Sequence, residues 1–228
     1  MATQLLACVL EALEALPHLR RQEAQLITFG VEPLGKIFLA RGFQTFPRLF
    51  MYAELGAAAP ATAVARADES HSIEFRGWRD SYFEAMAELI VDAYAGHVDS
   101  RINNQYSEAA GALRFLKNIV IFPGCGIFQP EASWVAVEPS SGCLLGAALS
   151  SRVAPRVGHI TQVCVRRKWQ GEGLGRRLMA RALRSFQTAE FEGVSLTVTA
   201  DNTPAVQLYQ KLGFQVIKGF AAFARDVT

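Results

Sequence analysis

Apolar positions recur at three- and four-residue spacing in six places along the chain. They are residues 5–16 (Leu6, Leu10, Leu13), 32–40, 79–94 (Tyr82 or Phe83, Met86, Ile90, Tyr94), a stretch ending near Ile119, 174–186 (Leu174, Leu178, Ala182, Phe186), and the run holding Val206, Leu208, Tyr209 and Leu212. That period places one apolar stripe on each of six helices. The last helix starts at Asn202-Thr203-Pro204, with proline in its first turn, and stops at Gly213. β-branched and alternating segments predict strands at 72–78, 159–165 and 194–199, and one or two more in 214–227. Residues 132–138 and 143–150 flank a Pro-Ser-Ser-Gly turn and read as a hairpin. Residues 24–29 form a short apolar run, and 43–55 read as strand, turn at Pro47, strand. Two stretches lack any period: 56–70, rich in alanine and without aromatics, reads as a linker, and 96–107 is polar.

The chain is organised around residues 159–186. A strand from His159 to Val165 leads into Gln170-Gly171-Glu172-Gly173-Leu174-Gly175, and an amphipathic helix follows at once. Glycines allow close backbone approach, and the unpaired amides and positive dipole end of a helix face whatever sits there. Strand, glycine loop and helix therefore form an anion cradle. Arg166, Arg167, Lys168, Arg176 and Arg177 add positive charge on both sides of it. A Rossmann fingerprint needs G-x-G-x-x-G directly off the strand, and a P-loop needs Gly-Lys-Ser/Thr. Neither spacing is present. A glycine-rich turn with no ligand stays open at this point.

Composition narrows the class. Half of the 228 residues are hydrophobic, enough for a sizeable core, and the net charge is +2. That charge points to neither nucleic acid nor a membrane surface. Cys8, Cys125, Cys143 and Cys164 lack metal or disulfide spacing, so no metal is expected. The first residues lack a basic stretch leading into a cleavable apolar core, and a cytoplasmic location is the expectation.

An internal repeat is also visible. An offset of 171 positions carries Gly42-Phe43 onto Gly213-Phe214, Pro33 onto Pro204, Ile37 onto Leu208 and Phe38 onto Tyr209. Residues 1–55 then read as a half-copy without a glycine loop. Such a half-copy cannot close its own sheet, so it is expected to pack on the rest of the chain or on a second chain.

Two motifs together resemble the GNAT superfamily of acyl-CoA-dependent N-acetyltransferases. The loop Gln170 to Gly175 is similar to that family's Gln/Arg-x-x-Gly-x-Gly/Ala. Asn202-x-x-Ala205-x-x-Leu208-Tyr209-x-x-x-Gly213-Phe214 is similar to its second signature. The resemblance covers about residues 72–227 and more weakly the half-copy. It implies an α/β (α+β) fold, a mixed central sheet of six to seven strands flanked by helices, with an N-terminal partial copy. The division would be 1–55 half-copy, 56–70 linker and 71–228 catalytic domain.

The resemblance also implies acetyl-CoA as the acetyl donor. Its pyrophosphate would lie on the amides of Gly171, Glu172, Gly173, Leu174, Gly175 and Arg176 beside Gln170, and its pantetheine arm along the backbone of Val163, Cys164 and Val165. Asn202 would bond near it. Tyr209 would stand near the sulfur as general acid, a role that suits a phenol facing a thiolate. Some members carry a glutamate base eleven residues before the loop's Gln/Arg; that position here is His159, a candidate base because histidine titrates near neutrality. Cys164 is mid-strand, and acylation of it is not expected.

The acceptor would be an amine, in a small molecule or a peptide. His97, Asp99, Arg101, Asn103, Asn104 and Tyr106 fall where the family's acceptor loops lie, while Trp78, Phe122 and Phe128 read as packing. A monomer or a homodimer is compatible with all of this. A non-catalytic acyl-CoA-binding module is the second reading, since the half-copy carries Phe38 for Tyr209 and Val31 for Asn202. A nicotinamide enzyme, with Asp201 on the ribose, ranks last because of the loop spacing.

Overall fold

The computed structural model describes residues 1–27, 31–56 and 73–227, and for residues 31–33 the backbone alone. All of the expected linker except Gly56 lies outside the described residues. In chain order the elements are α1 (Ala2–Glu14), β1 (Arg21–Gln25), α2 (Val31–Ala40), β2 (Gln44–Glu54), β3 (Glu74–Gly77), α3 (Phe83–Tyr94), α4 (Val98–Ile102) and α5 (Ala109–Val120). Then come β4 (Ile127–Phe128), β5 (Trp134–Val137), β6 (Leu144–Ala154), β7 (Val157–Val165), α6 (Leu174–Thr188), β8 (Gly193–Thr199), α7 (Thr203–Lys211) and β9 (Gln215–Asp226).

The described strands form one sheet of nine, in the order β1-β9-β2-β8-β7-β6-β5-β3, with β4 pairing β6 off that path. Six to seven strands were expected. The excess comes from β1 and β2, which join the same sheet, and from the two-residue β4. All pairs are antiparallel except β7 with β8, which makes the sheet mixed.

The hairpin expected at 43–55 is instead a single strand. Pro47 does not break it, for a local reason. Within β2, pairing to β8 starts only at Arg48, opposite Thr199. The Pro47 carbonyl accepts from the Ala200 amide at 2.9 Å, so the amide position it lacks points the same way, past the end of β8. No ladder bond is lost there. β2 thus lies between β8 and β9, and residues 1–56 supply a central strand rather than a separate sheet.

Alternation in β2 sorts its side chains between the two faces. Met51 and Ala53 enter a core with Leu178, Met179, Leu183 and Phe186 of α6 and Val194, Leu196 and Val198 of β8. The second core lies under α3 and α5, around Met86, Leu89, Ile90 and Leu116. A third joins Leu10 of α1 and Phe38 of α2 to Phe223 of β9.

The ends of α2 and α7 share one backbone turn. Phe43 N–H donates to Phe38 O at 3.1 Å, and Phe214 N–H donates to Tyr209 O at 3.0 Å. Gly42 and Gly213, at φ +79° and +92°, end α2 and α7 in the same left-handed turn.

Candidate functional site

The site forms because two neighbouring strands part. β7 and β8 pair only over Val157–Ile160 and Gly193–Leu196, then diverge while β7 runs on to Val165 and β8 to Thr199. A bulge assists: Leu149 faces Gln162 and Ser150 faces Ile160, so the register skips Thr161, whose hydroxyl donates to Leu149 O at 2.9 Å. A bulge bends its strand and turns the residues beyond it in a new direction. A cavity of about 690 Å³ occupies the gap, walled by residues 159–165 of β7, 196–198 of β8, Arg48 and Phe50 of β2, and Tyr94 of α3. Asp99, Asn103 and Tyr106 complete the lining, together with Asn202, Ala205, Leu208 and Tyr209.

Inside the gap β7 offers bare backbone. The Arg166 amide bonds Leu145 O of β6 at 2.8 Å, so by alternation Val163 and Val165 direct their amides and carbonyls away from β6. Their carbonyls accept from side chains, Val163 from Tyr94 Oη at 3.3 Å and Val165 from Gln170 Nε2 at 3.0 Å. Gln162 Nε2 donates to Tyr94 Oη at 2.9 Å, which fixes that phenol against the strand. Cys164 points the other way, into the core under α3, and burial pushes its thiol up to about 12. A thiol in that state is no nucleophile.

The glycine loop meets the cavity at Gly175, the one of its residues that lines the wall. Gly171 and Gly173 have φ of +87° and +73°, a region that costs any side-chain-bearing residue energy. Gly173 caps α6, and among the described residues the amides of residues 171–176 have no hydrogen-bond partner. These orphan donors fit the pyrophosphate of the implied coenzyme. Gly175 differs: its φ is not positive, and a Cβ there would meet Leu208 at 3.7 Å and Val165 at 3.8 Å, ordinary contact. Glu172 and Arg176 are exposed, while Leu174 buries its side chain and presents only its amide. Of the five expected cations, Arg166 is used on Leu144 O at 2.8 Å and Arg177 stacks over Phe75 at 4.7 Å. Arg167, Lys168 and Arg176 remain exposed.

Tyr209 lies deep in the gap, 9% exposed, on the last turn of α7. Burial, followed by the charge of Asp99, pushes its phenol above the usual range, so it stays protonated. Asn202 caps α7 by accepting from the Ala205 amide at 3.3 Å, with its side chain on the cavity wall.

His159 is on the wall, in the paired stretch before the strands part. Its Nδ1 is 2.8 Å from Ser195 Oγ, and burial lowers its pKa to about 4. This corrects the near-neutral titration expected of it. The imidazole is neutral at pH 7 and a weak base, because the apolar surroundings penalise its charged form.

Asn103 and Tyr106 reach the cavity as expected. Tyr106 stacks on Tyr94 with centroids 4.4 Å apart. Asn104 does not: it is exposed, and only its amide is engaged, donating to Glu23 at 2.9 Å. His97 and Arg101 are also off the wall, whereas Asp99 is on it. Trp78 packs against Tyr82, Phe83 and Phe128, but Phe122 is exposed rather than packed. Sequence reasoning missed Arg48, Tyr94 and Gln162 as site residues. Their roles depend on long-range register, which leaves no local pattern.

Residues 83–214, more than half the chain, match the family described as the acetyltransferase (GNAT) family. The chain belongs to that family. Among curated relatives, a mycothiol acetyltransferase of Thermobifida fusca (strain YX) is 36% identical over 108 residues, 43% of this chain and 33% of that protein. One of Nocardiopsis dassonvillei is 47% identical over 96 residues, 38% of this chain and 28% of that protein. The matched stretches are thus about a third of those relatives' length. Among solved structures, a GCN5-related N-acetyltransferase from Sphaerobacter thermophilus has a TM-score of 0.66 at 20% identity, covering 96% of this chain and 64% of that one. A tandem GNAT protein from the clavulanic acid biosynthesis pathway has a TM-score of 0.57 at 16% identity, covering 91% and 64%. At such identities the two share the fold with this GNAT chain.

Among the described residues no helix is long and apolar enough to cross a membrane, and no group of three or more His, Cys, Asp or Glu side chains could hold a metal ion.

Proposed function

We propose that this GNAT chain transfers acetyl from acetyl-CoA to a primary amine by direct attack, with residues 71–228 as the catalytic unit and β2 of the N-terminal segment completing its sheet. The observation that carries this reading is Tyr209, a buried and protonated phenol in the same cavity whose wall Gly175 of the glycine loop joins. Acetyl-CoA would supply an activated thioester carbonyl. The loop amides of residues 171–176 bind its pyrophosphate, with Arg167, Lys168 and Arg176 adding charge. The Val163 amide, directed into the gap, polarises the carbonyl oxygen.

The amine arrives as an ammonium and releases one proton to solvent. Its lone pair then forms the C–N bond as the C–S bond breaks. Tyr209 gives its proton to the leaving thiolate, and the nitrogen's second proton returns the phenol to its starting state, through the cavity. One proton is released overall per turnover. His159, neutral and weakly basic, orients Ser195 at the floor of the gap. The relatives' name makes a small-molecule acceptor the first class to test.

Thiol release from acetyl-CoA, followed across a panel of amines, tests the proposal. Turnover that falls by about 10² or more in Tyr209→Phe supports it. A second reading, a non-catalytic acyl-CoA-binding module, draws on Phe38, whose backbone geometry matches that of Tyr209 without a hydroxyl. Thermal protection by coenzyme A, unchanged in Tyr209→Phe, with an inactive wild type would favour it.

A further inference from the structure

One charged pair in the cavity has no part in holding the coenzyme. Arg48 of β2 and Asp99 of α4 both line the wall, with side chains only 12% and 16% exposed, and Arg48 Nη1 is 3.5 Å from Asp99 Oδ1. Arg48 also donates to Thr199 Oγ1 at 3.2 Å and to Thr197 Oγ1 at 3.3 Å. Thr199 Oγ1 in turn donates to Asp99 Oδ1. One carboxylate oxygen is therefore fixed by a hydroxyl and a guanidinium.

The other oxygen is free of donors. His97 Nδ1 is 3.6 Å from Asp99 Oδ2, but that nitrogen accepts from the Asp99 amide at 3.1 Å. Its lone pair is engaged there, so it carries no proton to offer the carboxylate. Among the described residues nothing else donates to Oδ2. With its side chain only 16% exposed and one oxygen left without a protein donor, the carboxylate attracts a cation. Tyr94, Tyr106 and Tyr209 line the same cavity, and all three phenols are pushed up by burial, with the charge of Asp99 among the further causes. The carboxylate thus shares the cavity with the proton donor.

We propose that Asp99 Oδ2 anchors the acceptor's amine nitrogen in the cavity beside Tyr209, and that Arg48, brought by β2, is the positioning residue that aims this carboxylate. The acceptor class is a cationic primary amine. An N–H held on Oδ2 turns the nitrogen lone pair toward the thioester, and the carboxylate stabilises the positive charge that develops on nitrogen as the C–N bond forms. Acceptor recognition is then assembled from two parts of the chain, since Arg48 lies outside the stretch that matches the family. This inference rests on the acetyl-transfer reading above.

The test uses the full chain with butylamine, glucosamine and alanine amide as probes. For the probe that turns over best, Asp99→Asn lowers kcat/KM for the amine by about a hundredfold. Arg48→Met lowers it by about tenfold and Arg48→Lys by less, because lysine restores the charge without the fork. The KM for acetyl-CoA stays within about twofold in all three variants. Coenzyme A raises each variant's melting temperature as it does the wild type's, which shows that fold and coenzyme site persist.

An Asp99→Asn variant within about threefold of wild type overturns the assignment, and so does a loss that appears in the acetyl-CoA KM instead. A wild type that releases no thiol with any probe defeats the acetyl-transfer reading separately. The anchor is then read from amine-dependent thermal stabilisation. Stabilisation present in wild type and absent in Asp99→Asn upholds it, and none in wild type overturns it.

Discussion

His159 Nδ1 stands 2.8 Å from Ser195 Oγ, tying β7 to β8 in the last paired stretch before the two strands part. Burial lowers that imidazole from 6.5 to about 4, so between those values the unfolded chain binds a proton that the folded chain does not. The contribution of His159 to stability is therefore complete above pH 6.5 and is lost as pH falls toward 4, by at most ~3 kcal/mol. We expect urea unfolding to show this loss in wild type and a flatter profile in His159→Gln, which keeps a hydrogen-bonding group but does not titrate. Parallel acid profiles in the two proteins would remove His159 as the cause.

For Tyr209 the sign runs in the opposite direction. Its phenol is raised above 10 by burial and by Asp99, although Arg48 counteracts in part. The proton donor thus remains loaded across the alkaline assay range. We expect kcat to show no descending limb up to about pH 10, and Tyr209→Phe to lose about 10²- to 10⁴-fold with little change in melting temperature. A descending limb near pH 8 that vanishes in Tyr209→Phe would show a phenol titrating far below this expectation.

The parts legible in the sequence were those set by local pattern. The period of Leu174, Leu178, Ala182 and Phe186 gave α6, and the glycines before it gave the orphan amides. Asn202 and Pro204 gave the start of α7, which carries Tyr209 in its last turn. The features that stayed hidden depend on long-range pairing. Pro47 reads as a turn until β8 is seen to end beside it. Arg48 looks like any strand arginine until β2 is placed next to Thr197 and Thr199. The polar stretch 96–107 hides α4 because its one buried apolar residue is Ile102, which packs on Phe46 and Ala222 from distant segments. The titration of His159 was missed for the same reason: burial is not written at a strand start.

The loop glycines separate two demands. Gly173 caps α6 at φ +73°, so Gly173→Ala places a Cβ in a left-handed conformation that costs about 1–2 kcal/mol. A Cβ on Gly175 would meet only ordinary contacts, and the residue lies inside α6, where alanine is favoured over glycine by about 1 kcal/mol. We expect Gly173→Ala to lower the melting temperature and raise the KM for acetyl-CoA, and Gly175→Ala to leave stability unchanged or raise it. The reverse order of stabilities, measured by calorimetry, would contradict the backbone account of the loop.

The position of β2 makes the strongest claim about cooperativity. It is hydrogen-bonded to β8 over Arg48–Thr199 through Glu54–Gly193 and to β9 on its other edge. Met51, at the bulge opposite β9, is fully buried in the core that also holds Tyr209, Leu212 and Phe214. Truncating it leaves a cavity where three strands and α6 meet, at a cost of about 2–5 kcal/mol. Because β2 is central, this loss cannot be confined to the N-terminal segment. It must weaken the pairing that places Arg48 and shapes the gap. We expect Met51→Ala to unfold in one transition at lower denaturant, with unfolding followed by tryptophan fluorescence and by circular dichroism coinciding. Two separated transitions, the first confined to residues 1–56 by hydrogen exchange, would mean that β2 leaves the sheet independently of β8 and β9.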